Sequence, residues 1–149
     1  MLRMRSIGRF LLFGLAVFAL TSCGSTETGT RTVGTVAAGV LTCTGPPLAP
    51  EPRLPAAFPS PEGLTYVESK VQGPTTIVAG YYDGGLEDAY NAYKDGFEQA
   101  GYIILFDEKE SEDAEVSYKD AAEVTSGQVA LRAKCDNGNV SVRITSRPA

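Results

Sequence analysis

The chain has 149 residues, 13 basic and 18 acidic, with no histidine and no tryptophan. The missing histidine removes the usual general base near neutral pH, the usual partner of a serine or cysteine nucleophile and the commonest metal ligand, so no enzyme, metal site or cofactor is expected. The acidic balance also argues against nucleic acid, whose phosphates are held by a concentrated basic face.

The first element in chain order is a leader. Arg3, Arg5 and Arg9 stand before an apolar run over residues 10–20, and Thr21 and Ser22 lead into Cys23. A charged, then apolar, then small-residue layout is that of a secretory signal. The run is far shorter than the roughly 20 residues a membrane-crossing helix needs. Leu20-Thr21-Ser22-Cys23 resembles the lipobox of bacterial lipoproteins, in which the cysteine thiol accepts a diacylglyceryl group before cleavage. The resemblance implies that residues 1–22 are a signal peptide and that Cys23 becomes a lipid-modified terminus. The protein would then be held at the extracytoplasmic face of the cell membrane, with palmitate or a similar acyl chain as its anchor. An ordinary secretory signal with soluble release is the rival reading, but only the lipoprotein route requires cysteine at the new terminus.

Without Arg3, Arg5 and Arg9 the chain keeps ten basic residues against 18 acids, a net charge of −8. Such a domain gains little from anionic lipid, which leaves the acyl group as its main membrane contact. With Cys23 consumed, Cys43 and Cys135 remain as a pair in an oxidising compartment and are expected to form a disulfide; two buried free thiols are the alternative. Residues 23–54 are rich in Thr, Gly, Pro and small side chains and read as a flexible tether, stiffened by prolines from Pro46 onward. A bond from Cys43 to Cys135 would nevertheless pin part of it.

A single domain is expected over residues 55–149, with its regular structure starting near Phe58. Residues 65–71 and 75–82, rich in Thr, Val, Ile and Tyr and parted by Gly73-Pro74, read as two antiparallel strands. Asp83 offers a capping carboxylate to a helix over 86–100. There Leu86, Ala89, Tyr90, Tyr93, Phe97 and Ala100 form one apolar stripe at spacings of three and four. Gly101 ends that helix, and 102–106 follows as a strand too apolar to lie on an exposed edge. Tyrosines at this spacing read as core, with a pocket lining as the alternative.

The acids between Asp107 and Glu115 raise the question of calcium, but an EF-hand spacing is missing and a solvated hairpin tip is the preferred reading. A strand is expected near 114–119, and a final hairpin over 128–135 and 140–146 turning at Asn137-Gly138. If those two residues are the loop, Cys135 faces Val140, Leu131 faces Ile144 and Arg132 faces Arg143. Opposed arginines cost stability unless neutralised, so Lys119, Arg132, Lys134 and Arg143 form a candidate partner surface, or are neutralised from within by acids such as Glu115.

The order strand, strand, helix and four strands predicts a two-layer α+β domain, with one amphipathic helix on an antiparallel sheet of five to six strands. Together with the tether, Phe58-Pro59, Gly63-Leu64, Gly101-Tyr102 and the Val129, Leu131, Cys135 strand, it resembles small actinobacterial lipoproteins of unknown function. It is also similar at fold level to helix-grip domains of envelope lipoproteins, which implies no function. The expected function is therefore that of a lipid-anchored, non-catalytic domain binding an envelope protein or wall component. The alternative is a small-ligand or metal-ion carrier.

Overall fold

The structure is a computed structural model and describes residues 40–149. Cys23, the leader and the first part of the expected tether lie outside the described residues. The described chain is α+β: a helix packs against a six-stranded antiparallel sheet, in the order ββαββββ. The strands are β1 (Leu64–Gln72), β2 (Thr75–Tyr82), β3 (Ile103–Lys109), β4 (Asp113–Lys119), β5 (Thr125–Arg132) and β6 (Val140–Pro148). Helix α1 spans Leu86–Gln99. Across the sheet the order is β1-β2-β6-β5-β4-β3. β1 and β2 form a hairpin around Gly73, whose φ of 59° suits a residue without a Cβ. β3 to β6 form a meander, and β6 joins the two groups by pairing with β2 as well as β5.

α1 buries the stripe its spacing dictates. Ala89, Tyr93 and Phe97 are fully buried, with Leu86, Tyr90 and Ala100 packed at the margin. Its N-cap is Gly85 and no side chain caps it, so the expected capping role of Asp83 is corrected. The Asp83 amide instead donates to the Gly63 carbonyl and ties the end of β2 to the start of β1. Glu87 and Asp88 still place negative charge at the positive end of the helix. Gly101, at φ 76°, turns the chain out of the helix.

The helix lies against β3, β4 and β5. Its rings meet Tyr102 and Tyr118 in an aromatic cluster: Phe97 stacks on Tyr118 at 4.6 Å between centroids and meets Tyr102 edge-on at 5.3 Å. These rings fill the space between helix and sheet, so Tyr93 and Tyr102 are core rather than pocket lining. Burial in this cluster pushes the Tyr118 phenol up to about 12.

The expected tether must be shortened. From Thr42 the chain is bound to the domain: the Thr42 amide donates to Ser141 Oγ at 2.9 Å, and the Leu48 amide to the Tyr66 carbonyl at 2.7 Å. Leu54 and Phe58 join the core, and Phe58 meets Phe97 and Tyr118 edge-on at 5.3 and 5.4 Å. The Tyr102 hydroxyl donates to the Ala56 carbonyl. A proline-rich segment has little backbone freedom to lose, so a few apolar anchors suffice to hold it without regular structure.

Two expectations about the sheet are overturned. β3 is the edge strand, although its apolar first half argued for the interior. β6 is claimed on both sides by β2 and β5, so the meander leaves its first strand with β4 as its sole neighbour. The last hairpin also pairs differently: Leu131 faces Val142, Val129 faces Ile144, Arg132 faces Ser141 and Arg143 faces Ala130. This is a slip of exactly two residues from the expected pairing, which preserves every side chain's face and so leaves the alternation pattern unchanged. Residues 133–139 are the connection, and Cys135 lies in it rather than in the strand core.

Candidate binding surface on the uncovered sheet face

Alternation along β4, β5 and β6 separates two faces. Val116, Tyr118, Val129, Leu131, Val142 and Ile144 point toward α1 and are buried; Ser117, Gln128, Arg143 and Thr145 point away. Register then aligns the outward side chains into rows. One runs Lys70, Ile77, Thr145, Gln128, Ser117, Phe106 from edge to edge; the next runs Glu68, Ala79, Arg143, Ala130, Glu115, Glu108. No described helix or strand covers this outer face.

A depression of about 490 Å³ lies at one end of it, among Thr75, Ser117, Ser126, Gln128, Thr145 and Arg147, with Leu105 as an apolar wall. Hydroxyls, an amide and a guanidinium converge there, a donor-rich set that suits hydroxyl, carbonyl or carboxylate groups. Its floor is Gly127. The Tyr118 hydroxyl donates to the Thr145 carbonyl at 3.1 Å beside this residue, and an added Cβ would fall inside contact distance of the same carbonyl oxygen. Gly127→Ala is expected to cost on the order of 1 to 3 kcal/mol, by forcing Tyr118 and β6 apart. Urea unfolding, with Ser126→Ala within about 0.5 kcal/mol of the parent, checks this.

The four basic residues singled out from sequence do not form one patch. Arg132 is held by Asp113 at 3.1 Å and Glu115 at 2.8 Å, and Glu115 also accepts from Gln128 at 2.7 Å. Lys134 sits 3.2 Å from Asp113, while Lys119 is toward the other end of β4 and pairs with Glu123. Arg143 is paired with no acid among the described residues; it projects between Ala79 and Ala130 on the open face. The register shift removes the direct opposition of Arg132 and Arg143. Arg147, Gln128 and Thr145 were not singled out. Their outward positions were legible in the alternation, but Arg147 lies beyond the expected end of the last strand.

The disulfide is formed between Cys43 and Cys135, with Cα atoms 5.6 Å apart. Asn137 and Asn139 both donate to the Cys43 carbonyl, at 3.1 and 2.9 Å, so the connection after β5 serves as a clamp on the incoming chain. The Gly138 amide closes a turn onto the Cys135 carbonyl. These contacts explain why Asn137-Gly138 does not act as a two-residue loop.

Asp107 is on the helix side of β3. It accepts from the Tyr90 hydroxyl and from Lys94 Nζ, the latter at 2.9 Å. The Tyr90 hydrogen bond, then Lys94, hold its carboxyl below the ordinary carboxylate value, and the same contacts raise Tyr90 and Lys94. A depressed carboxyl stabilises the fold above its unfolded value of 3.8 and loses that contribution as pH falls through the lower folded value. Asp107→Asn should therefore be less stable than the parent at pH 7. The gap should close progressively below about pH 4, as read from thermal unfolding across pH.

Compared with known proteins, the chain matches no family profile, no curated sequence and no solved structure. Among the described residues no helix is long and apolar enough to cross a membrane.

Proposed function

We propose that this protein is a lipid-anchored, non-catalytic binding domain at the extracytoplasmic face of a bacterial membrane, engaging an envelope protein or wall component. We take the domain as two layers, with the helix over one sheet face and the other face free to meet a partner. The observation that carries the proposal is that free face: a row-ordered polar surface with a donor-rich depression around Gln128, Thr145 and Arg147. The anchor rests on Leu20-Thr21-Ser22-Cys23, and two or more acyl chains would hold the domain stably.

The test is a photo-reactive side chain at Gln128 of the full chain in native membranes, with one at exposed Glu98 on α1 as control. A discrete protein or wall adduct from Gln128 and none from Glu98 is expected. Adducts from Glu98 alone would reject the face. Fatty-acid labelling should mark the parent and not Cys23→Ala, and equal label in both would reject the anchor. A small-ligand carrier is the second reading, favoured by one observation: the depression's volume falls in the range of small-molecule sites.

A further inference from the structure

The two edges of the sheet are treated differently. At β1 the incoming chain touches the first half of the edge: the Leu48 amide donates to the Tyr66 carbonyl, Gly45 fits against Val67 at the β1 bulge, and the disulfide fixes the segment's start. At β3 no described strand pairs with the outer edge. There Ile103, Leu105 and Phe106 are 43%, 56% and 52% exposed. An uncovered edge offers a row of unpaired backbone donors and acceptors, which proteins ordinarily blunt with bulges and charges.

The charges of β3 guard this edge incompletely. Asp107 and Lys109 are drawn toward α1, by Tyr90 and Lys94 and by Glu87 respectively. Glu108 alone points to the outer face, directly opposite Glu115. Like charges so placed repel, and Glu115 is neutralised by Arg132 whereas Glu108 pairs with no cation among the described residues. The local field at Glu108 therefore calls for a positive charge from outside.

We infer that β3 is a strand-addition site for an extended segment of another protein, with a basic side chain beside Glu108 and an apolar one two residues away beside Phe106. This deepens the binding-domain proposal by naming the partner's chemistry, and it rests on that proposal. Outward side chains recur every second residue, so an antiparallel partner reads basic-x-apolar, and backbone pairing supplies the rest of the affinity. A second copy of this chain fits poorly. The bulge at Leu105 inverts the alternation, so pairing Phe106 with Phe106 would set outward Glu108 against inward Ile104. Pairings centred on Asp107 or Glu108 oppose acid to acid.

The probe is a fluorescent peptide, Thr-Lys-Thr-Val-Thr-Val, titrated into the full chain, with Thr-Glu-Thr-Val-Thr-Val as control. The lysine peptide should bind at least tenfold more tightly, slow hydrogen exchange of the amides of residues 103–109, and lose its advantage in Glu108→Lys. Glu108 is exposed, so that variant should fold. Failure of the lysine peptide to saturate, equal binding of both, or protection elsewhere would overturn strand addition. Protection of 103–109 that grows with protein concentration and without peptide would overturn it in favour of a second copy. Crosslinking from Gln128 is read independently: if it persists while the peptides fail, strand addition alone is rejected.

Discussion

Cys43→Ser should lower the melting temperature of the domain by more than about 10 °C and open residues 42–54 to proteolysis, while the native parent resists. Cys43 and Cys135 are 92 residues apart, and a cross-link of that span removes enough unfolded-chain entropy to be worth roughly 4 to 5 kcal/mol in the chain-entropy model. For a domain near 100 residues each kcal/mol corresponds to about 4 to 8 °C, so even half the ideal value is large. The loss is also local. Thr42 and Leu48 then hold the segment through isolated backbone hydrogen bonds, and the Asn137 and Asn139 clamp on the Cys43 carbonyl loses its covalent partner. Cys135→Ser should give the same shift, and the double variant no further loss, because one bond is removed in each case. Calorimetry of the non-reduced protein and limited proteolysis read both effects. A fall below about 2 °C would mean that the clamp and core anchors hold the segment without the bond.

Phe97→Ala should cost about 3 to 5 kcal/mol. Phe97 is fully buried, stacks on Tyr118, and meets Phe58, Tyr93 and Tyr102 at centroid distances of 5.3 to 6.2 Å. It is the ring through which helix, sheet and the proline-rich segment touch one another. Native domains have only about 5 to 15 kcal/mol in total, so this substitution removes a large share. Phe97→Leu, which keeps much of the volume, should lose less than half as much. Guanidinium unfolding measures both. A cost below about 1 kcal/mol for the alanine variant would show that the cluster is not the packing centre. Proteolysis separates this variant from Cys43→Ser: loss of Phe97 should loosen α1 together with the Phe58 region, whereas loss of the disulfide frees chiefly the stretch before Leu54.

The elements themselves were legible because each is written in local periodicity. Leu86, Ala89, Tyr93 and Phe97 are spaced for one helical face, and β2 begins and ends where its Thr, Val, Ile and Tyr run does. Alternation also assigned the strand faces correctly: Val129, Leu131, Val142 and Ile144 point inward in either register of the last hairpin. The Cys43–Cys135 bond followed from counting cysteines under the expectation of an oxidising compartment, a chemical argument that needs no geometry.

What tertiary structure alone decided is every choice between arrangements that satisfy the same local pattern. A two-residue slip of β5 on β6 leaves each side chain on its own face, so the alternation could not distinguish Arg132 opposite Arg143 from Arg132 opposite Ser141. The register adopted leaves residues 133–139 out of the ladder, where Cys135, Asn137 and Asn139 hold Cys43 from far along the chain. The apolar start of β3 likewise pointed to the interior. Strand order is set by which partners compete for β6, and that competition left Ile103, Leu105 and Phe106 at the edge. Residues 42–54 carry no period at all, so their ordering depends on distant anchors. The open sheet face and the uncovered edge, on which the proposed binding depends, both arise from such long-range pairings, because a surface is what remains after every strand has found its neighbours.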